Sequence, residues 1–190
     1  GLVVGQVEPD VRRDGARSPD LGSTVVRASG GSQGEYLVLT GDHSAPTEIA
    51  LHARATGAST VQIVDALTHG TYAELREALP NVKLVQVIHV TGEESIDEAR
   101  ELAPYVDALL LDSGNQKLPV KELGGTGRTH DWTISRRIRE SCGKPLFLAG
   151  GLRASNVADA VAQVEPYGLD ICSGVRTDGR LDEAKLRTFC

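Results

Sequence analysis

The feature that most constrains this chain is a repeated alternation of short, nearly continuous apolar runs with amphipathic segments. The runs are Leu2–Val7, Tyr36–Thr40, Thr60–Val64, Leu84–Val90, Ala108–Asp112, Leu146–Ala149 and Leu169–Cys172. They are rich in Val, Ile and Leu and lack the polar alternation of a sheet with one wet face. Such runs read as parallel strands covered on both sides. The segments between them carry helical periodicity. Val157, Ala160, Val161 and Val164 form one stripe in Ser155–Glu165, where Ser155 is placed as the N-cap. Ile96, Ala99, Leu102 and Ala103 form another in Glu93–Tyr105, with acidic residues in its first turn. Pro46–Thr56 opens with proline and stops at Gly57. Thr71–Leu79 and Trp132–Ser141 complete the set, and Gly/Ser-rich Asp20–Gly34 predicts only a weak, short helix.

Strand–helix alternation with short connections belongs to the α/β class and fits two architectures, the doubly wound sheet and the (β/α)8 TIM barrel. No GxGxxG follows the first strand, which counts against a dinucleotide fold. The pattern predicts a (β/α)8 barrel in which the first β-α unit is not evident. The chain contains no Met and starts inside the strand-like run Leu2-Val3-Val4-Gly5, so it reads as lacking its natural N-terminus. A first strand without a partner would leave an exposed edge. No repeat or linker interrupts the sequence, so residues 1–190 read as one domain.

Composition narrows the partners. The net charge is −6, with signs mixed and no basic stripe, which argues against nucleic acid. No apolar run approaches the ~20 residues that span a bilayer, and no signal-peptide pattern is present. Cys142, Cys172 and Cys190 are odd in number and lack metal-ligand spacing. They fit a reducing cytoplasm, with no metal site and no disulfide scaffold. An acidic chain that binds an anion needs local help from helix N-termini or a placed Arg.

In a barrel the reactive residues sit at C-terminal strand ends. That rule selects Glu8, Thr40, Asp42, Asp65, His89, Asp112, Gly150, Gly151, Ser173 and Gly174. Asp112 closes the buried run Ala-Leu-Leu-Leu-Asp. It reads either as a cap of the following turn or as a general acid or base tuned by partial burial. The long segment Asn115–Asp131, with Leu123-Gly124-Gly125-Thr126-Gly127-Arg128, reads either as a lid or as a surface loop. Gly150-Gly151 and Ser173-Gly174 stand at the last two strand ends and read either as a phosphate cradle, built of backbone N–H groups and a helix N-terminus, or as tight turns without a ligand. Of the histidines, His89 fits a core residue as well as a catalytic one, and His43, His52, His69 and His130 show no ligand spacing. Trp132 reads as a packing anchor, and Cys172 as a buried strand residue.

Four motifs in order carry a family resemblance: Leu110-Leu111-Asp112-Ser113; Gly124-Gly125-Thr126-Gly127 with His130-Asp131-Trp132; Leu148-Ala149-Gly150-Gly151-Leu152 with Asn156-Val157; and Asp170-Ile171-Cys172-Ser173-Gly174-Val175. Together they resemble phosphoribosylanthranilate isomerase, most closely from about Leu84 onward. The resemblance implies a (β/α)8 barrel of tryptophan biosynthesis, working without cofactor or metal. It would convert N-(5-phosphoribosyl)anthranilate into the corresponding aminoketose by an Amadori rearrangement. It implies Asp112 as general acid, and Gly150, Gly151, Ser173 and Gly174 as the phosphate site. Asp170 matches an Asp of the family's last strand and is counted with the substrate-binding residues, and Arg17 is favoured over Arg12 and Arg13 as the anthranilate-carboxylate partner. The small phosphorylated sugar is the expected partner, with the chain either monomer or homodimer. Two departures stand out. The family's base is a Cys in a Lys-Ile-Cys-Gly-like first strand, which nothing here matches, and Val64 replaces a His of the Val-Gln-Leu-His-Gly strand. They leave an alternative, a phosphosugar-binding barrel without catalysis. A relative of indole-glycerol-phosphate synthase is disfavoured because no Lys sits at a strand end.

Overall fold

The computed structural model describes residues 2–5, 24–27, 36–40, 45–114 and 129–190, the first three stretches by their backbone alone. In chain order the strands are β1 (Leu2–Gly5), β2 (Thr24–Arg27), β3 (Tyr36–Thr40), β4 (Thr60–Ile63), β5 (Lys83–His89), β6 (Ala108–Asp112), β7 (Leu146–Leu148), β8 (Gly168–Ile171), β9 (Arg176–Thr177) and β10 (Arg180–Leu181). The helices are α1 (Pro46–Thr56), α2 (Tyr72–Ala78), α3 (Glu94–Leu102), α4 (Trp132–Cys142), α5 (Val157–Val164) and α6 (Glu183–Phe189). The chain divides into two compact units. One holds Gly1–Gln6, Val87–Pro104 and Ala108–Cys190; the other holds Val7–Gln86 and Tyr105–Asp107.

In the first unit β6, β7, β8 and β1 run parallel as successive neighbours. Leu109 pairs with Leu146, and Leu111 with Leu148, which pairs in turn with Leu169. Leu109, Leu111, Leu146 and Leu148 are sealed in the core. Each such burial stabilises by about 1.5–3 kcal/mol. Helices α3, α4 and α5 contribute Ile96 and Ala99, Ile134 and Ile138, and Ala160 and Val164 to the buried side. Their outer faces exchange charges, Arg137 with Glu93 and Arg139 with Glu165, in exposed pairs that add little stability.

In the second unit β2 is antiparallel to β3, and β3 and β4 are parallel. Arg76 of α2 reaches the Val82 carbonyl and Asp107, whose carboxylate also accepts the Leu84 N–H at 2.8 Å. Burial pushes the Asp107 pKa up, but the Leu84 N–H, Arg76 and Lys83 outweigh it and hold the carboxyl below its ordinary value. Helix α2 starts with a capping box. The Thr71 hydroxyl accepts the Glu74 N–H, and Glu74 accepts the Thr71 N–H.

Several sequence expectations need correction. Asp20–Gly34 contains strand β2 rather than a short helix, because β-branched Thr24-Val25-Val26 suits an extended edge. The sheet strands are therefore not all parallel. Strand β1 does not stand unpaired; all four of its residues are in register with Gly168–Ile171. Helix α5 begins after Asn156 rather than Ser155, and Val161 of its predicted stripe is 43% exposed. Cys172 lies just past β8 and is half-buried. The β9–β10 hairpin and α6 were not expected at all; their residues carry neither an apolar run nor a long stripe.

The Thr71 cap is an exposed device that holds a helix end in place. Thr71→Ala should cost about 1 kcal/mol of stability, measured by urea unfolding. An unchanged midpoint would mean the cap is not formed in solution.

Candidate functional site

The register of β6, β7 and β8 sets the site. One step beyond Leu111, Leu148 and Leu169 stand Asp112, Ala149 and Asp170. Residues paired across parallel strands project from the same side of the sheet, so these three form a row. The Ala149 N–H donates to the Leu111 carbonyl at 2.8 Å and the Val90 N–H to the Asp112 carbonyl at 2.9 Å, which carries the ladder to this level. Asp170 is paired on its other side with Val4 of β1.

Asp112 is half-buried, and its carboxylate accepts the Ser113 N–H at 2.7 Å. Burial raises its pKa above the ordinary value; the Ser113 N–H and the charge of His89 only partly offset this. His89 ends β5 and is buried, its carbonyl accepting from the Ser95 hydroxyl at 3.4 Å. Asp170 is more strongly perturbed. Its Oδ1 is sealed from water and makes no hydrogen bond. Burial, reinforced by the neighbouring Asp112 carboxylate, pushes its pKa up to about 7.

The glycine turn of the next strand end packs against this acid. Gly150 has φ +83°, and a Cβ there would meet the Ser113 hydroxyl and backbone nitrogen at 2.7 and 2.8 Å. Only glycine combines that conformation with that approach. Asn156 braces the turn from below. Its side chain accepts the Arg153 N–H at 2.9 Å and donates to the Gly151 carbonyl at 3.1 Å. Gly174 is pressed against the same turn, since a Cβ there would run into the Leu152 carbonyl. A cavity of about 710 Å3 opens here, lined by Gly151, Leu152, Arg153, Ser173, Gly174 and Lys185 among others. Two glycine turns, the start of α5 and two cationic residues on a generally acidic chain suit a phosphate group.

The structure thus brings Gly151, Ser173 and Gly174 into one cavity, and Gly150 against the segment that carries Asp112. Arg17, Glu8, Asp42, His43 and residues 115–128 of the expected lid lie outside the described residues. Asp65 is buried in the second unit. At the far end of the lid segment His130 bonds the Ser135 hydroxyl at 2.7 Å, and burial pushes its pKa down to about 4. The Trp132 indole N–H is sealed without a partner, as a packing residue at the start of α4. Among the described residues no cluster of His, Cys, Asp or Glu is placed to hold a metal ion. No helix there is long and apolar enough to cross a membrane. Sequence reading missed the supporting roles of Ser113, Asn156 and Arg153. Asn156 was findable as an Asx residue three places after Arg153; the Ser113–Gly150 approach spans two strands and left no local signal.

The family described as N-(5'phosphoribosyl)anthranilate (PRA) isomerase matches residues 47–190. N-(5'-phosphoribosyl)anthranilate isomerase 2 of Methanosarcina mazei is 34% identical over all 190 residues, which span 81% of that relative. The isomerase of Nostoc punctiforme is 42% identical over 114 residues, 60% of this chain and 51% of the relative. Against the latter, the match spans about half the relative's length. The crystal structure of phosphoribosyl anthranilate isomerase from Thermotoga maritima superposes with a TM-score of 0.63 at 24% identity, over 80% of this chain and 68% of that one. The barrel class read from the sequence is thereby the observed one.

The buried Asp170 carboxyl predicts a pH-dependent stability. Its folded pKa of about 7 lies above the ordinary value of 3.8, so the folded chain holds this proton more tightly than the unfolded one. The stabilisation is complete below the ordinary pKa and is lost as pH rises toward 7. Relative to Asp170→Asn, the wild type should lose up to about 4 kcal/mol between acidic and neutral pH. Parallel stability curves in chemical denaturation at several pH values would refute this.

Proposed function

The chain belongs to the phosphoribosylanthranilate isomerase family, and on that premise we propose that it converts N-(5'-phosphoribosyl)anthranilate into the corresponding aminoketose in tryptophan biosynthesis. One observation supports this most: the half-buried Asp112, with its raised pKa, stands at the strand end against which the Gly150 turn is packed. An acid and a phosphate cradle held that closely can grip a phosphorylated sugar at one end and protonate it at the other.

In this reading the phosphate takes its hydrogen bonds from the backbone of Gly150, Gly151, Ser173 and Gly174, with the N-terminal end of α5 adding its dipole. Asp112 donates a proton to the furanose ring oxygen as the bond from that oxygen to C1 opens. Burial suits it to that role, because a carboxyl that resists ionisation still carries a proton where an ordinary Asp would not. Arg17 pairs with the anthranilate carboxylate, and the chain acts as one domain in the cytoplasm. A base then removes the C2 proton. Cys142 sits at the end of α4, Cys190 ends the chain and Cys172 follows β8, so none of the three lies in a first-strand position like that of the family's base. Val64, standing where the family's strand carries a His, favours one second reading, a member that binds the phosphosugar without turning it over.

Turnover of purified N-(5'-phosphoribosyl)anthranilate separates the two readings. The isomerase reading expects measurable turnover in the wild type and a loss of about 10²–10⁴-fold in kcat for Asp112→Asn, with the fold retained by circular dichroism. Binding without turnover in the wild type would favour the second reading. Undiminished turnover in Asp112→Asn would remove Asp112 from the mechanism. Gly174→Ala should raise KM for the phosphorylated substrate by about ten-fold or more, because the Leu152 carbonyl leaves no room for a methyl group. An unchanged KM would move the phosphate elsewhere.

A further inference from the structure

One wall of the cavity beside the glycine turns comes from α6, which contributes Ala184, Lys185 and Thr188. Of all the residues that line the cavity, Arg153 and Lys185 are charged and none carries a carboxylate. The chain as a whole has a net charge of −6. A cavity on an acidic chain that gathers two cations and admits no acid is set for an anion.

Lys185 is held at both ends. The Asp182 N–H donates to the Val175 carbonyl at 2.8 Å, and one Asp182 carboxylate oxygen accepts the Ala184 and Lys185 N–H groups at 3.0 and 3.1 Å. The other oxygen accepts the Thr177 hydroxyl at 2.7 Å, so the cap engages both. The Lys185 Nζ donates to the Arg176 carbonyl at 2.8 Å. Backbone and ammonium are thereby tied to the segment that follows Ser173-Gly174. An ammonium has three N–H groups; the carbonyl takes one and sets the direction of the other two. A lysine held in this way loses less rotamer freedom on gripping a ligand than one that hangs in water. Arg153 comes from the β7–α5 turn. Its N–H donates to the Asn156 side chain at 2.9 Å, and its carbonyl accepts the Asn156 and Val157 N–H groups at 3.0 Å. The same turn presses on Gly174, where the Leu152 carbonyl leaves no room for a Cβ. Arg153 and Lys185 therefore stand on two elements locked to one another through Ser173–Arg176.

Resting on the phosphate site of the isomerase reading, we propose that the C-terminal helix belongs to the binding machinery: Lys185 of α6 and Arg153 of the β7–α5 turn are side-chain ligands of the phosphate, and they make the cavity select a phosphorylated sugar over its unphosphorylated form. The backbone N–H groups give direction but only partial charge. A phosphate monoester carries a charge of about −1.5 to −2 at neutral pH, which two full cations match. The guanidinium presents a planar fork of donors that fits two phosphate oxygens, and the ammonium acts as a point charge. An unphosphorylated sugar meets neither contact and leaves both cations without an anion.

The test takes inorganic phosphate as the probe and isothermal titration calorimetry as the readout, so it needs no turnover. Arg153→Gln and Lys185→Gln should each weaken phosphate binding by about ten-fold, the loss of one charge-assisted contact. Added salt should weaken the wild type more steeply than either variant, because each variant has lost a charge that salt screens. Lys185→Arg keeps the charge and should stay within about three-fold of the wild type. Both side chains are exposed, so the variants keep the fold, which circular dichroism checks. A lysine that only fastens α6 to Arg176 would lower the melting temperature of Lys185→Gln and leave phosphate affinity and its salt dependence unmoved. That result overturns the proposal, as does an unchanged affinity in Arg153→Gln or a wild type that binds no phosphate. A wild type that binds phosphate but shows no turnover refutes the isomerase reading alone, and the variants still decide the two cations.

Discussion

The register of three parallel strands is the constraint on which the rest depends. Pairing Leu111 with Leu148 and Leu148 with Leu169 brings Asp112, Ala149 and Asp170 to one level. A slip of one residue on any of these strands would turn its side chains to the opposite face. The acid would then enter the layer packed by helices, and a leucine would enter the site. The sealed Leu109, Leu111, Leu146 and Leu148 prevent that slip. Hydrophobic burial here acts as the alignment device for the polar chemistry one residue further along.

Turn geometry then works from that level. Strand β7 hands over directly to Gly150, whose missing side chain lets the turn lie on Ser113. Asn156 ties the far side of the turn back to Gly151 and Arg153, and Gly174 closes against Leu152. Each contact is short and local, and each links two strand ends that are distant in sequence. The same close fit leaves the Asp112 and Asp170 carboxyls little water. Their upward pKa shifts are the electrostatic consequence of that packing.

Much of this was legible in the chain itself. The Pro46 start and Gly57 stop of α1 were read to the residue, because proline and glycine act through their own backbone restrictions. Buried strands were read to within one or two residues, since a strand covered on both faces leaves a continuous apolar run. The strand at Thr24–Arg27 was hidden by the surrounding glycines and serines, and the helix of Glu183–Phe189 by its many charges. Ser155 and Asn156 are both competent caps by residue type, and only the geometry of the preceding turn decides between them.

By itself, then, the amino-acid order determined the strand–helix alternation, the acid at the end of Ala108–Asp112 and the two glycine turns. These follow from periodicity and backbone restriction, which are properties of neighbours along the chain. The tertiary structure alone decided that Asp112, Ala149 and Asp170 come to one level, that the Asp170 carboxyl is sealed there, and that Gly150 rests on Ser113. Those relations come from cross-strand register and burial. Register couples residues nearly sixty positions apart, and burial sets the cost of a charge only once the surrounding core has excluded water.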